Sequence, residues 1–468
     1  MGAGRHALRL VRLWKMTTVR FDRGTLELAA GAPDVPHAIW DHRSETRRVA
    51  AHRFWGLVEA VESRGAAIDG DLRLGWHLER RDCTPLALRP YQAQAFASWI
   101  AFGRRGVVAL PTGAGKTRVA LAALFDTGLP TAILCPTKAL AVAWVEELQR
   151  HLVGEPIGLV GDGHRTVERV TVMTFESAYR HMDKLGDRFG LLVVDEVHHF
   201  GSGARVEALE ASAAIARLGL TATGPEPGSE GAVRLADLLG PVVFEMGYAD
   251  LVGKHLAPVS VIKIPVRLEV DERADYDART RAFLEMRRTF MRLYPGADVA
   301  TMLRGLGRSF EGRRALRDRA RALELACFPR AKRALLQTLV ARHRDDRTIV
   351  FTAFAENAYV AAKDNLIPVI TGETGAKERQ EILTTFREGK VRAIASARVL
   401  NEGIDVPEAR VAIIVAGALG AREHVQRIGR VLRPGPEKHA LVYELITTDT
   451  SDARRASIRA KHAPQPSP

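Results

Sequence analysis

The sequence predicts an α/β protein with two parallel-sheet lobes, a helical insertion and a small N-terminal α+β domain. From Arg89 onward, short apolar runs alternate with longer amphipathic segments, which is the pattern of repeated strand–helix units. The alternation occurs in two separate sets, so we expect two similar lobes. Polar or glycine-rich residues follow the strands of the first set at once. Because ligand-binding groups gather at the carboxyl ends of parallel strands, functional residues are expected there.

The elements follow in chain order. The first lobe is assigned to residues 86–250 and has five predicted strands: Val107–Leu110, Thr131–Cys135, Val170–Met173, Leu191–Val194 and Arg217–Leu220. The second lobe is assigned to residues 251–447, with strands at Thr348–Phe351, Leu366–Ile370, Val391–Ala395, Val411–Ala416 and Ala440–Ile446. Residues 271–328 are dense in Arg, Glu and Ala at helical spacing, and are predicted to be the helical insertion of that lobe.

Both ends of the chain lie outside this pattern. Residues 1–16 are interpreted as a basic extension without fixed structure, residues 17–85 as the small domain, and residues 448–468 as a polar, frayed tail. Trp40, Trp55 and Trp76 lie among Arg and His in the small domain. We favour core positions for them over a base-stacking surface.

Composition narrows the classes of function. The 468 residues exceed what one hydrophobic core usually holds, and the net charge of +13 favours a polyanionic partner such as nucleic acid. An arginine-rich composition from a GC-rich genome stays open as an alternative source of that charge. No apolar run approaches the roughly 20 residues of a membrane-spanning helix. The three cysteines form no CxxC pair, so we expect a cytoplasmic protein without disulfides or a zinc ribbon.

A phosphate-binding loop is predicted between the first strand and the next helix. The segment Leu110–Thr117 reads LPTGAGKT, and its glycines let the backbone wrap a phosphate at a helix N-terminus. Lys116 is expected to reach the β and γ phosphates, and the Thr117 hydroxyl to bind Mg²⁺. The residues assigned to the nucleotide here are Thr112, Gly113, Ala114, Gly115, Lys116 and Thr117.

A carboxylate pair follows the fourth strand. Asp195 is placed at the sheet edge as a second Mg²⁺ ligand, and Glu196 as the general base that polarises the attacking water. The neighbouring His198 and His199 would point opposite ways in an extended segment, which argues against a metal site formed by the two.

Further polar residues lie at a helix start and at other strand ends. Arg89 and Gln92 are assigned to the nucleotide site and precede an amphipathic helix, where Gln92 either reads the adenine edge or belongs to a plain helix start. Thr221, Ala222 and Thr223 are interpreted as a segment that couples hydrolysis to nucleic-acid movement. A nucleic-acid backbone is expected to contact Pro136, Thr137, Lys138, Thr174, Thr352 and Ser396.

The second lobe contributes an arginine pair. Arg430 and Arg433 lie three residues apart in the run QRIGRVLRP, so one helix face can present them to a phosphate across a cleft. Gln426, the first residue of the same run, is assigned to the catalytic residues together with the two arginines. Gly403 and Asp405 are placed near the nucleotide ribose.

The ordered series RPYQ, LPTGAGKT, CPT, TFES, DEVHH, LTATG, IVFT, VLNEGIDVP and QRIGRVLRP resembles superfamily-two helicases with two RecA-like lobes. More narrowly, DEVHH, GKHLAP, GAREHVQRIGRVLRP and YELIT resemble the archaeal and bacterial XPB DNA helicases. VRFDRGTLEL resembles the small N-terminal domain of that family. The resemblance implies an ATP- and Mg²⁺-dependent 3′-to-5′ DNA translocase, monomeric, acting in repair or transcription, with a repair endonuclease as a partner. By the same resemblance Gln92 reads adenine, Arg430 and Arg433 are arginine fingers, and residues 271–328 correspond to a thumb-like element.

One departure from the family bears on the activity. An Arg-Glu-Asp triplet associated with strand opening commonly follows the TAT motif, whereas this chain reads GPEPGSEG there. Translocation is therefore expected more firmly than unwinding. An RNA helicase, a restriction-type translocase and a non-catalytic DNA clamp stay open as alternatives, although intact Lys116, Glu196, Arg430 and Arg433 argue against the clamp.

Overall fold

The computed structural model describes residues 15–29, 35–63, 66–70, 86–161, 163–203, 205–251, 259–397, 409–416 and 440–460. The chain forms two compact units, the first containing the chain up to Ala109 together with Gly115–Glu245, and the second containing Leu110–Ala114 together with the chain from Met246. Mixed α/β structure with parallel sheets confirms the predicted fold class.

The N-terminal domain is a five-stranded sheet covered by one helix. Its strands are β1 (Lys15–Asp22), β2 (Thr25–Leu28), β3 (Ile39–Asp41), β4 (Thr46–Ala50) and β5 (Ala66–Gly70), in the spatial order β3-β4-β2-β1-β5. A short 3₁₀ turn leads into helix α1 (Phe54–Glu62). Leu26, Leu28 and Phe54 fill the core between the sheet and α1, and Ala213 of the first lobe belongs to the same cluster. The small domain therefore packs directly on the first lobe.

The core positions predicted for the tryptophans are wrong where the structure describes them. Trp40 is 50% exposed and Trp55 is 36% exposed, while Trp76 lies outside the described residues. The reason is position, because Trp40 belongs to the edge strand β3 and Trp55 lies on the outer side of α1, where its indole N–H donates to Glu59 at 2.8 Å. Aliphatic residues and Phe54 build the core instead.

The first lobe is an eight-stranded sheet. Its strands are β6 (Arg105–Ala109), β7 (Thr131–Cys135), β8 (Ile157–Gly161), β9 (His164–Thr166), β10 (Val170–Thr174), β11 (Leu191–Val194), β12 (Ala216–Thr221) and β13 (Val242–Glu245). The spatial order is β13-β6-β12-β11-β7-β10-β8-β9, parallel except for the β8–β9 hairpin. All five strands predicted for this lobe are present. The sequence did not predict β8, β9 or β13, because these outer strands are short or only partly apolar.

The helices of this lobe connect the parallel strands. They are α2 (Pro90–Ala101), α3 (Lys116–Thr127), α4 (Lys138–His151), α5 (Phe175–Leu185), α6 (Glu207–Glu210) and α7 (Glu230–Leu239), while the short α8 (Tyr248–Leu251) belongs to the second unit. Helix α3 has buried Val, Ala and Leu on most of its surface because it packs against the sheet directly behind the phosphate-binding loop.

The second unit has a six-stranded parallel sheet. Its strands are β14 (Val259–Val266), β15 (Thr348–Thr352), β16 (Val369–Ile370), β17 (Ala393–Ala397), β18 (Val411–Ile414) and β19 (Ala440–Thr447). Their order is β14-β19-β18-β15-β17-β16. Helices α12 (Arg330–Arg342), α13 (Ala355–Asn365) and α14 (Ala376–Arg387) connect or flank these strands.

The predicted helical insertion is present as α9 (Val270–Leu293), α10 (Val299–Leu306) and α11 (Phe310–Cys327). Arg279 of α9 donates to Asp318 of α11 at 3.0 Å, which ties the two long helices together. The expectation of a frayed tail after Thr447 is wrong for its first part, since residues Ser451–Ala460 form helix α15. Asp452 of this helix is fully buried and paired with Lys332, which anchors it. No helix in the described ranges is long and apolar enough to cross a bilayer.

Candidate active site

Two left-handed glycines shape the phosphate-binding loop. Gly113 and Gly115 have φ angles of 86° and 78°, and Gly115 immediately precedes the first residue of α3, Lys116. A Cβ on Gly115 would lie 2.5 Å from Nε2 of Gln92. Glycine is therefore required at this position by both backbone conformation and space. The result is a curved backbone that ends at the N-terminus of a buried helix, which suits an anionic group.

Gln92 supports this loop from the side. Its side chain is 2% exposed; Oε1 accepts the N–H of Arg89 at 2.9 Å, and Nε2 donates to the Gly115 carbonyl at 3.4 Å. The glutamine thus caps α2 and braces the loop at the same time. A role in reading adenine stays a prediction. Bracing of the loop is a role that the sequence did not indicate.

The carboxylate pair lies at the end of the fully buried strand β11. The Asp195 N–H donates to the Leu134 carbonyl of β7 at 2.8 Å, which fixes the start of the turn. Asp195 Oδ2 accepts the indole N–H of Trp144 at 3.0 Å, and Oδ1 accepts the N–H of Glu196 at 3.0 Å. Trp144 is a site residue that the sequence analysis missed, because its position on α4, 51 residues before Asp195, carries no local signal.

Burial and charge set the protonation of the pair. Burial, followed by the negative charge of Glu196, raises the pKa of Asp195 to about 6. Burial also acts to raise the pKa of Glu196, but the charge of Lys116 and the contact with His198 outweigh it and lower this pKa to about 2. Two adjacent carboxylates are therefore held in a buried site beside a single lysine. Such an excess of negative charge is the electrostatic setting in which a divalent cation binds.

His198 lies between the carboxylate pair and the third predicted motif. Its Nδ1 atom is 3.4 Å from Glu196 Oε2 and 3.4 Å from the Thr221 hydroxyl. Thr221 in turn donates to the Thr223 carbonyl at 2.9 Å. Contacts between side chains thus link Glu196 to the Thr221–Thr223 segment through one histidine.

The two histidines do not point in opposite directions as they would in an extended segment. Residues Val197–Ser202 form a 3₁₀ helix, and the rings of His198 and His199 stack with centroids 4.4 Å apart. Glu196 begins this turn in a left-handed conformation, with φ of 49°. Glu196 Oε2 is buried and accepts no hydrogen bond of good geometry. An open acceptor on a buried, ionised carboxylate is what the activation of a water molecule requires.

Comparisons with known proteins fit this geometry. Residues 19–71 match the Xeroderma pigmentosum group B helicase damage recognition domain, residues 85–226 the Type III restriction enzyme, res subunit, and residues 331–435 the helicase conserved C-terminal domain. A DNA 3'-5' translocase XPB2 of Sulfurisphaera tokodaii is 36% identical over 377 residues, covering 80% of this chain and 84% of the relative.

The chain belongs to the XPB family of superfamily-two DNA helicases.

A DNA 3'-5' helicase XPB of Kineococcus radiotolerans is 31% identical over 80% of this chain, which spans 62% of that relative. Among solved structures, the Pyrococcus furiosus Hef helicase domain matches 79% of this chain and 97% of its own length, with a TM-score of 0.50 at 16% identity. This likeness supports the helicase fold alone.

The nucleic-acid contacts predicted for this XPB-family chain divide into two groups. Thr137 and Thr174 are N-caps, because their hydroxyls accept the N–H groups of Leu140 at 3.3 Å and Ser177 at 3.2 Å. Pro136 and Thr137 are partly exposed and Lys138 is exposed, so that strand end is accessible. A capping hydroxyl that accepts a backbone N–H keeps its own proton for a second partner. Contact with DNA at this edge stays a prediction.

In the second unit the predicted contacts are buried. Thr352 and Ser396 are both fully buried in neighbouring strands β15 and β17, and the Thr352 hydroxyl donates to the Phe354 carbonyl at 3.0 Å. A direct contact with DNA would require their exposure, so this assignment also stays a prediction. Five assigned residues lie outside the described residues: Gly403, Asp405, Gln426, Arg430 and Arg433.

Proposed function

We propose that this chain is an ATP- and Mg²⁺-dependent motor that moves 3′ to 5′ on DNA and opens duplexes. The observation that carries the proposal is the buried Asp195–Glu196 pair, with the open Oε2 acceptor of Glu196, at the same sheet edge as the glycine loop. Such an edge brings phosphate-binding backbone, a metal-binding carboxylate and a base together.

Each residue has a role that follows from its position. The Gly113–Gly115 backbone and Lys116 bind the nucleotide phosphates, while the Thr117 hydroxyl and Asp195 hold Mg²⁺. The cation neutralises charge on the transferred phosphoryl group when it is bound. Glu196 orients a water molecule and accepts its proton. Trp144 keeps Asp195 in one orientation through the 3.0 Å hydrogen bond to Oδ2.

We propose that ATP hydrolysis is coupled to movement on DNA through His198. Loss of the γ-phosphate changes the charge near Glu196, and the His198 Nδ1 atom, which is 3.4 Å from both Glu196 Oε2 and the Thr221 hydroxyl, can then move toward one of them. Movement of Thr221–Thr223 would transmit the change to the DNA-binding edge. Arg430 and Arg433 are proposed to complete the site as arginine fingers, with Gln426 beside them and Gly403 and Asp405 near the ribose.

The finer biological assignments rest on the family. Relatives carry names that specify DNA and 3'-5' direction, and we extend both to this chain as part of the proposal. We further propose a monomer in the cytoplasm that acts in DNA repair or transcription, with a repair endonuclease as a partner.

A second candidate, a duplex translocase that does not separate strands, is favoured by two observations. The match over residues 85–226 is to a restriction-enzyme subunit. The loop after β12 also has no Arg-Glu-Asp triplet; Ser229 ends it by capping α7, accepting the Ala232 N–H at 3.2 Å.

The test is ATPase stimulation by duplex DNA, single-stranded DNA and RNA, combined with strand separation on forked DNA and displacement of a triplex-forming strand. We expect stimulation by DNA and displacement of the third strand. Stimulation by RNA alone would overturn the proposal. Triplex displacement without fork opening would select the second candidate.

A further inference from the structure

A cavity of about 280 Å³ lies where the N-terminal domain packs on the first lobe. The small domain contributes Val35, His52, Trp55 and Leu57 to its wall, and the lobe contributes Arg105 and Asp237. Arg105 begins β6, the strand whose other end leads into the phosphate-binding loop. Because β6 has five residues, the cavity lies roughly 17 Å from that loop, at the opposite edge of the sheet. It is therefore distinct from the nucleotide site.

Buried nitrogen atoms in this wall make no hydrogen bond within the described part of the chain. His52 is 5% exposed, and neither Nδ1 nor Nε2 makes a hydrogen bond. Asp237 Oδ2 lies 3.4 Å from Nε2, an ion-pair distance without hydrogen-bond geometry. Nη1 of Arg105 is also buried without a hydrogen bond. Buried polar groups are almost always satisfied, so two such residues in one cavity indicate a missing partner.

The charged residues around the cavity indicate whether the missing partner is an anion or a cation. Arg105 of β6 and Arg217 of β12 are register partners, and the Arg217 guanidinium is fully buried and donates to backbone carbonyls. Arg53 donates to Asp237 at 3.0 Å, so that one carboxylate is already engaged. Burial and the charge of Arg217 lower the pKa of His52 to about 4. The nearby acidic groups besides Asp237 are Glu59, whose charge acts on Arg105, and Glu210, which lies near Arg53 and Asp237.

We infer that this cavity binds a small phosphate-bearing anion between Arg105 and His52. Donors approach from two different domains, and a tetrahedral oxyanion accepts hydrogen bonds from several directions at once. Arg105 supplies the free Nη1 donor. His52 supplies a donor from either ring nitrogen once the anion offsets the surrounding positive charge. The cavity is large enough for inorganic phosphate or a small phosphate monoester, and Val35, Trp55 and Leu57 form its apolar wall.

Occupation of this site would link the small domain to the motor. The anion would contact His52, which lies in the 3₁₀ turn that leads into α1, and Arg105, which begins the strand leading to the nucleotide loop. Binding therefore stabilises the contact between the small domain and the lobe. The inference does not depend on the proposed ATPase activity.

In the experiment, inorganic phosphate is titrated into the full chain carrying Lys116→Ala, and the heat of binding is measured by calorimetry at constant ionic strength. This substitution removes the ammonium of the nucleotide loop and so suppresses phosphate binding there. We expect saturable binding of one phosphate. Arg105→Gln added to this background should weaken binding by about tenfold or more, because it removes a charged donor.

The matched control is Arg104→Gln. Arg104 is the preceding residue, but it pairs with Asp126 at 3.0 Å on the surface and does not line the cavity. This variant should bind phosphate as the parent does. His52→Gln removes the donor from the other wall and should also weaken binding, which keeps the test valid if Arg105→Gln fails to fold. Absence of saturable binding, or equal binding by the Arg104 and Arg105 variants, would overturn the inference.

A final arm identifies the source of the phosphate. A short duplex DNA is added to the phosphate-saturated protein, and the His52 ring proton is followed by NMR. Displacement of phosphate by the duplex would assign the site to a backbone phosphate of DNA. Retention of phosphate would assign it to a free phosphate anion.

Discussion

The two sheet units bury charged groups in opposite ways. At the edge of the first sheet, Asp195 and Glu196 are adjacent carboxylates, and Glu196 keeps an acceptor without a hydrogen bond. In the second unit, Lys332 and Asp452 are both fully buried and form an ion pair at 2.8 Å. The first cluster has like charges side by side, whereas the second joins opposite charges.

The two clusters also differ in how their charged groups are hydrogen-bonded. The Lys332 ammonium has three oxygen acceptors, namely Asp452 Oδ2 and the carbonyls of Val415 at 2.6 Å and Cys327 at 3.4 Å. Asp452 Oδ2 also accepts the Thr447 N–H at 3.0 Å. An ammonium group has three protons, so these acceptors satisfy Lys332 without a ligand.

The difference separates a structural charge cluster from a functional one. A buried pair of opposite charges, whose ammonium finds its acceptors inside the protein, holds two helices and a strand together. A buried pair of carboxylates with an open acceptor is complete only when a cation and a water molecule are present. Four variants test this comparison, beginning with the one that has the largest expected effect.

Glu196→Gln should lower the ATPase turnover number by about 10²–10⁴-fold, because the amide cannot accept the proton of water. ATP binding and the free energy of unfolding should be retained, since the change removes one of two like charges. Steady-state ATPase assays and equilibrium binding of a fluorescent ATP analogue measure the two properties. Glu207→Gln on the exposed side of α6 is the control and should have normal turnover. Turnover at the parent rate in Glu196→Gln would remove Glu196 from the role of base.

Lys332→Met should lower the free energy of unfolding by about 3–5 kcal/mol, because Asp452 then stays buried without its cation. Urea denaturation followed by circular dichroism measures this change. Arg333→Met is a matched control, since Arg333 pairs with Asp364 at 2.8 Å while 43% exposed, and should cost less than about 1 kcal/mol.

The double variant Lys332→Met/Asp452→Leu sharpens this result. Replacing both charges by apolar groups should recover most of the lost stability. If the double variant is as unstable as Lys332→Met alone, the destabilisation comes from packing and the ion pair is not its cause.

Trp144→Phe should raise the Mg²⁺ concentration for half-maximal ATPase activity by about tenfold, because Asp195 loses the donor that orients it. The measurement is ATPase rate against Mg²⁺ concentration at saturating ATP. Trp99→Phe removes another buried indole hydrogen bond, the 2.9 Å contact with the Arg217 carbonyl, far along the sequence from the carboxylate pair. An equal shift in both variants would indicate a general loss of stability and would contradict the positioning role of Trp144.

The sequence predicted the parts of the site that depend on local pattern. The loop at Leu110–Thr117 and the pair at Asp195–Glu196 follow strands that are apolar throughout, and the carboxyl ends of parallel strands must meet at one sheet edge. The outer strands β8, β9 and β13 were not predicted, because partly exposed strands lack a continuous apolar run. The tail after Thr447 was judged from its polarity, which cannot indicate that one aspartate in it is buried.

By itself, the sequence determined the fold class, the family and the type of each chemical group at the motor site. Only the tertiary structure decided which distant side chains complete those groups. Trp144 reaches Asp195 across 51 residues, Lys332 reaches Asp452 across 120 residues, and His52 meets the cavity that Arg105 lines. The physical reason is that strand and loop chemistry follows the local period of apolar and polar residues, whereas these pairs arise from how helices and domains pack on the sheets.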